Sequence, residues 1–310
     1  MIRIGMLGAG RAAGSHTEQL RNRSGVTIDA VACRSGPADF MQNFGLEATP
    51  YTSHTELCDH PNLDAIIICT PTHLHREHIL AAVERDLDIL CEKPIVREVM
   101  NTEGLPQRLA QSDSMFLPGH TVRYMEPFVH VRDRIQDGSI GEVLSVSVRR
   151  LSSFPRWGSE DWFADFEKSG GVVLDMGIHD IDFVEWAIDD LVSVSAVSNR
   201  WQHAEQANIV GTCDGGAVVN IEASWAQPSE RPFTVDLEVT GTDGTISLIQ
   251  QSADFRGTAS GQGSDSGQMV VTEWSDGSRS STEVPNSGWK RQATEFISCV
   301  QGNKEPKTSL

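Results

Sequence analysis

The first 120 residues repeat one pattern: a short, continuously apolar run, a stretch of helical periodicity, then another apolar run. The runs are IRIGMLG at 2–8, TIDAVAC at 27–33, DAIIICTP at 64–71, DILCEKP at 88–94 and MFLPGH at 115–120. They lack the apolar–polar alternation of a sheet with one wet face, so each reads as a strand covered on both faces. Helical stretches separate them, at 12–23 and in HREHILAAVERD at 75–86, where Ile79, Leu80 and Val83 form an inner face. Strands joined by helices of this length form βαβ units, and these build a parallel sheet.

The pattern changes after residue 121. RYMEPFVHVRDRIQDG at 123–138 is helical, and the strands that follow are longer and alternate: EVLSVSVRRL, VSVSAVSN, GAVVNIEASWA and FTVDLEVTGTDGTISLI. TDGT at 242–245 is a turn between two strands. This alternation marks a mainly antiparallel sheet. A helix from 175 to 188 interrupts the strands, SGWKRQATEFISCVQG gives a last helix, and ASGQGSDSG at 259–267 reads as a mobile loop. The chain therefore divides into an α/β domain at 1–121 and a second α/β domain at 122–310; 310 residues suffice for two cores.

Composition narrows the partners. A net charge of −18 leaves no basic footprint for nucleic acid or an anionic membrane. No apolar run approaches the ~20 residues that span a bilayer. The N-terminus enters a strand at once, without a secretion signal, so a soluble cytoplasmic protein is expected. None of the six cysteines forms a C-x-x-C pair, which suits reduced thiols and no structural zinc.

The first strand ends in G-x-G-x-x-A, with Gly8, Ala9, Gly10, Arg11, Ala12 and Ala13. Gly8 permits a tight turn, Gly10 lets backbone approach a pyrophosphate, and Ala13 allows close helix–strand packing. The phosphates would sit at a helix N-terminus. A plain tight turn is the alternative, but the strand before and the helix after are the context of a Rossmann dinucleotide site. At the end of the second strand an NAD enzyme carries an acid for the adenosine ribose. Here stand Cys33, Arg34 and Ser35. A guanidinium and a hydroxyl suit a 2′-phosphate, so NADP(H) is favoured over NAD(H).

Ligands in parallel sheets lie beyond the carboxyl ends of the strands. Three more polar clusters occur there: TPTHLH at 70–75, CEKP at 91–94 and GHTVRY at 119–124. His73, His75 and His78 have no acidic or thiol ligand nearby in sequence, so no metal is expected. Thr70, Pro71 and His75 instead shape a loop under the nicotinamide, with Glu92 and Lys93 beside it. A lysine at a strand end is partly desolvated, which lowers its pKa and makes it fit for proton exchange. Alone it reads better as a snorkelling surface lysine.

LDMGIHDIDF at 174–183 places Asp175, His179 and Asp182 at i, i+4 and i+7, one face of a helix. Asp175 alone reads as an N-cap, with His179 a hydrogen-bonded core histidine. Together with GAGRAA, TPTHLH, EKP, GHTVRY and GGVVLDMGIHDID, however, the chain resembles the glucose–fructose oxidoreductase / inositol dehydrogenase (Gfo/Idh/MocA) family over nearly its whole length. The resemblance implies a Rossmann domain followed by an α/β domain with a large, mainly antiparallel open sheet that often forms the oligomer interface. A homo-dimer or homo-tetramer through that sheet is expected. It implies NAD(P)-dependent oxidation or reduction of a sugar, polyol or related carbonyl. The family's catalytic lysine falls on Lys93, and its Asp and His fall on Asp175 and His179. His179 would take the hydroxyl proton, Lys93 would stabilise the alkoxide, and Asp175 would bind a neighbouring hydroxyl or orient His179. Arg123, Tyr124, Trp162 and Asp182 are the candidate substrate contacts. The chain departs from the family in lacking the acid after the second strand, and in ending at EPKTSL where members commonly continue through another helix.

Two other functions fit parts of the pattern. A nucleotide-sugar dehydrogenase would need a basic diphosphate site, for which Arg123, Arg149, Arg150 and Arg156 are available. A non-catalytic sensor would keep the dinucleotide pocket but has no need of Lys93, Asp175 and His179.

Overall fold

The computed structural model describes residues 1–158, 161–252 and 268–308. Strands β1 (Ile2–Leu7), β2 (Val26–Ala32), β3 (Thr49–Tyr51), β4 (Ala65–Ile68), β5 (Asp88–Glu92) and β6 (Phe116–Gly119) form one sheet in the order β3-β2-β1-β4-β5-β6. Every pairing in it is parallel. The apolar runs are strands, as expected; Ile66, Ile67 and Ile68 have no exposed surface because helices cover both faces. The strand β3 has the sequence TPY and gave no apolar signal. It is an edge strand, where a proline is tolerated. Helices α1 (Arg11–Leu20), α2 (Ala38–Phe44), α3 (His54–Cys58), α4 (His75–Val83) and α5 (Leu105–Ala110) fill the connections. Strand order reverses between β1 and β4, which opens a crevice at their carboxyl ends.

After α6 (Glu126–Gln136) come β7 (Val143–Leu151), the short α7 (Phe166–Ser169) and a π-helical turn, Val173–Gly177, that runs into α8 (Ile178–Ala187). Then follow β8 (Leu191–Trp201), β9 (Ala204–Cys213), β10 (Val218–Ser224), β11 (Phe233–Gly241), β12 (Gly244–Ser252), β13 (Gln268–Trp274) and β14 (Arg279–Val284). These strands form a second sheet in the order β14-β13-β12-β11-β7-β10-β9-β8. It is antiparallel except for the β7–β10 pair. Alternation turns Val146, Val148, Val219, Ile221, Val235, Leu237 and Val239 to one face, where Phe128 of α6 and Phe183 and Val184 of α8 pack on them. Among the described residues no helix covers the opposite face, which shows Ser147, Asn208, Asn220 and Glu238 to solvent. The segment 259–267, expected as a mobile loop, lies outside the described residues.

The last helix, α9 (Gly288–Val300), returns to the first sheet. Ala293, Phe296 and Ile297 join the core of Ile4, Met6, Leu20 and Ile67. The first sheet is therefore completed by residues from the far end of the described chain. Among the described residues no helix is long and apolar enough to cross a membrane.

Phe296 has no exposed surface. Phe296→Ala should cost ~3–5 kcal/mol through lost burial and the cavity left behind. Chemical denaturation followed by circular dichroism measures this; a change under about 1 kcal/mol would mean that α9 is not part of the first core.

Candidate active site

The backbone after β1 is shaped for an anion. Gly8 has φ +111°, and a Cβ there would meet the Cys69 carbonyl oxygen at 2.6 Å, so no side chain fits between β1 and the end of β4. Gly10 differs: a Cβ there would meet nothing within 4 Å. Gly10 caps α1 without any side-chain acceptor for the first-turn N–H groups. Those N–H groups therefore remain available at the positive end of the helix. Gly8, Ala9, Gly10, Arg11 and Ala12 line one cleft of about 1620 Å³. That is more than the ~300–1,000 Å³ of an ordinary small-molecule site. A dinucleotide together with a second small molecule accounts for the size, and the open space at Gly10 fits its pyrophosphate.

At the end of β2, Cys33, Arg34 and Ser35 line the cleft, with the Cys33 Sγ 3.3 Å from the Ser35 Oγ. No acid occupies these positions. One lies nearby: Asp39, in the first turn of α2, also lines the cleft. It was missed because α2 gave no readable periodicity.

At the end of β4, Thr70 and Pro71 line the cleft. His75 lies beneath them and does not reach it. Its Nδ1 is 2.8 Å from the Pro94 carbonyl oxygen and its Nε2 is 2.8 Å from that of Thr70, so the ring sits between two strand ends and, when neutral, donates to one of these oxygens at a time. Burial pushes its pKa below the usual imidazole range. His78 does line the cleft, with Nδ1 2.9 Å from the Thr70 Oγ1. Burial foremost, then the neighbouring His54, lowers it to about 3. Among the described residues no three His, Cys, Asp or Glu side chains converge on a metal-sized site.

Strand β5 ends in the Glu92–Lys93 pair. The Glu92 carboxylate lies 2.9 Å from the His16 Nε2 of α1 and accepts the Lys93 N–H at 3.3 Å. Burial opposes its charge, but the His16 bond and the charges of Lys93 and His75 hold the carboxyl below the usual range. The Lys93 side chain crosses to the other half of the molecule. Its Nζ donates to the Asp175 carboxylate at 2.9 Å and to the Asp175 carbonyl oxygen at 2.6 Å. Asp175 is not an N-cap: residues 171 and 172 are already helical, and it sits inside the π turn. Such turns expose a side chain that a regular helix would place elsewhere.

Lys93, Asp175 and His179 all line the cleft. His179 stands on the first turn of α8, and its Nδ1 is buried without a hydrogen-bond partner. Burial, then the charges of Lys93, Arg150 and His120, push its pKa well below the usual imidazole range. The ring is neutral at pH 7 and can accept a proton. The same cleft is lined by Trp157, Trp162, Phe163, Trp225 and Phe233, which give it an aromatic wall. Trp162 stacks on Phe163 at 4.0 Å, and Phe163 meets Trp225 edge-on at 5.9 Å. Trp225 and Phe233 carried no sequence signal, because each continues a strand pattern.

Three expected substrate contacts do not reach the cleft. The Arg123 guanidinium grips Asp182 with both ends, Nε to Oδ2 at 3.0 Å and Nη2 to Oδ1 at 2.7 Å. Each neutralises the other where an unpaired charge would be costly. The Tyr124 hydroxyl donates to Glu295 of α9 at 3.4 Å and is buried. These three residues lock the helices behind the site. Of the four, Trp162 alone lines the cleft.

Comparison with known proteins identifies the family. A family model described as an oxidoreductase family with an NAD-binding Rossmann fold matches residues 2–120, and one for the GFO/IDH/MocA C-terminal domain matches residues 128–247. The chain belongs to the GFO/IDH/MocA family. A myo-inositol 2-dehydrogenase of Thermotoga maritima is 25% identical over 223 residues, covering 70% of this chain and 64% of that protein. An inositol 2-dehydrogenase of Rhizobium meliloti is 30% identical over 200 residues, covering 64% of this chain and 58% of that protein. The matched segment thus spans about six-tenths of the length of these relatives. A structure of levoglucosan dehydrogenase in complex with NADH superposes with a TM-score of 0.81 at 18% identity, covering 99% of this chain and 92% of that one. At that identity the likeness is one of fold.

Gly10→Ala places a methyl group in open space, so it should cost only about 1 kcal/mol in folding stability. It should weaken NAD⁺ or NADP⁺ binding at least ~10-fold, which is ~1.4 kcal/mol. Titration calorimetry checks this; unchanged affinity would place the pyrophosphate elsewhere.

Proposed function

We propose that this protein is an NAD(P)-dependent oxidoreductase that transfers a hydride between nicotinamide and a CH–OH carbon of a sugar, an inositol-like polyol or a related keto-sugar. The observation that carries the reading is the convergence of a paired lysine, Lys93, and a neutral histidine, His179, at the strand ends beside the Gly8–Gly10 cradle. When bound, the nicotinamide supplies a hydride acceptor or donor.

The chain's own residues supply the rest. In oxidation His179 accepts the substrate hydroxyl proton. With Nδ1 buried, Nε2 is the ring nitrogen left to meet it. An ammonium has three hydrogens, and Lys93 spends two on Asp175, so the third can face the developing alkoxide. Asp175 aims the lysine and keeps an oxygen for a neighbouring hydroxyl. The aromatic wall excludes water and orients the ring. Reduction runs the same proton path backwards.

Arg34 and Ser35 favour NADP(H) over NAD(H), since a guanidinium and a hydroxyl at the end of β2 suit a 2′-phosphate. Three of the four arginines offered for a diphosphate are already paired, which disfavours a diphosphate-bearing substrate. Arg123 is held by Asp182, Arg149 by Glu222 at 2.7 Å and Arg150 by Asp180 at 2.6 Å. Assembly as a homo-dimer or homo-tetramer through the open face of the second sheet fits its exposed Val197, Trp201, Val210, Val218 and Ile249.

The protein should reduce NADP⁺ or NAD⁺ in a screen of aldoses, inositols and polyols, or oxidise the reduced cofactors with keto-sugars. Lys93→Met should lower turnover by ~10²–10⁴ while leaving cofactor affinity within about threefold; a fully active variant would remove Lys93 from the mechanism. Arg34→Gln should weaken NADP⁺ binding about tenfold, some 1.4 kcal/mol, and leave NAD⁺ binding nearly unchanged. Equal losses for both cofactors would contradict the 2′-phosphate assignment.

A further inference from the structure

The site contains a second buried ion pair that the proton path above does not use. Arg150, on β7, donates Nε to the Asp180 Oδ2 at 2.9 Å and Nη2 to the Asp180 Oδ1 at 2.6 Å. The side-chain exposures are 6% and 0%, so this is an interior pair and not a surface one. Asp180 directly follows His179 on α8, and Arg150 lines the cleft beside His179. The pair therefore fixes the first turn of α8 to the strand beneath it. A bidentate fork sets orientation as well as distance.

We propose that Arg150 is the positioning residue of His179: its fork on Asp180 holds the imidazole toward Lys93, and its cationic charge faces that imidazole from the sheet side. The proposal rests on the reading of His179 as the proton acceptor, and gives that residue a partner 29 positions earlier in the chain.

The charges around His179 come from several elements. Lys93 approaches from the end of β5, paired to Asp175 on the turn before α8. His120 follows β6, 3.3 Å from Asp182, which is gripped by Arg123. Arg150 rises from β7. Glu205 of β9 lies against Gly171, at the start of the helical segment, and bonds to Arg200 at 3.1 Å. Asp175, Asp182 and Glu205 each have a cationic partner, and Asp180 has Arg150. After burial, Lys93 and Arg150 are the two strongest influences disfavouring a protonated ring. Lys93 belongs to the reaction itself. Arg150 takes no part in the proposed proton path, and its Nε and Nη2 are engaged by Asp180. A merely structural pair would hold the helix equally well as neutral side chains, and a charge with an electrostatic role would not be replaceable in that way.

The test is a direct titration of His179, which needs no substrate. Histidine labelled with ¹³C at Cε1 is followed by NMR from pH 8 downward until the wild-type ring titrates, in the full chain, and His179→Gln identifies the resonance. In the wild type the His179 midpoint should lie well below that of an ordinary imidazole. In Arg150→Gln/Asp180→Asn, a neutral pair of similar shape, the midpoint should rise by about one pH unit or more, a tenfold change in proton affinity. Arg150→Lys keeps the charge and loses the fork; its His179 midpoint should stay low but its resonance position should shift. If the first double variant does not fold, Arg150→Met/Asp180→Leu replaces the pair by apolar groups, a change that buried pairs commonly tolerate. Titration curves of the neutral-pair variants that coincide with the wild type would overturn the proposal. So would Arg150→Lys titrating like the neutral pair. Failure of the proposed activity is a separate result: it would appear as no turnover in the substrate screen, with the His179 titration unaffected.

Discussion

The bond from Lys93 to Asp175 joins the two halves of the molecule at the point where chemistry is proposed. Lys93 directly follows a strand of the parallel sheet, and Asp175 lies in the turn leading to a helix packed on the antiparallel sheet. Separating them would leave a largely desolvated ammonium and carboxylate without partners, which is far more costly than the pair itself is stabilising. The pair thus fixes the relative position of the cofactor crevice and the helix that carries His179. The other bonds around it follow the same logic. Arg150–Asp180 ties that helix down to β7, Arg123–Asp182 ties it to the segment after β6, and His16–Glu92 anchors Lys93 from behind.

This arrangement separates two tasks. The end of the cleft proposed for the dinucleotide combines a backbone cradle, made of a glycine turn and an uncapped helix terminus, with side chains such as Arg34 and Ser35 at the end of β2. The substrate end is made of side chains, with charges neutralised in pairs and an aromatic wall. An uncharged polyhydroxylated ring suits such a place. It needs hydrogen bonds and a flat apolar surface more than it needs a net charge.

Much of this was legible in the sequence because it depends on local pattern. Continuous apolar runs showed the parallel strands, and their polar ends showed Thr70, Lys93 and the glycine turn. Helical spacing placed Asp175 and His179 on one face, and the family resemblance singled them out as candidates. Asp182, a turn beyond His179, does not line the cleft, because Arg123, 59 residues earlier, draws its carboxylate inward, a contact that spacing cannot show. The partner of Asp180, the aromatic residues Trp225 and Phe233, and the return of α9 to the first core all depend on long-range packing. Spacing along the chain carries no record of such contacts. β3 and α2 were missed for a simpler reason: a three-residue edge strand and a two-turn helix are too short for a period to show.

The most direct measurement is a crystal structure of the protein with NADP⁺. The pyrophosphate is expected over Gly8–Ala12 and the 2′-phosphate at Arg34 and Ser35. The nicotinamide ring should face Lys93 and His179, leaving room between them for a substrate carbon ~3–3.5 Å from the ring, as hydride transfer requires. A nicotinamide turned away from Lys93, or a cofactor bound outside this cleft, would contradict the assignment of Lys93, Asp175 and His179 as the reacting site.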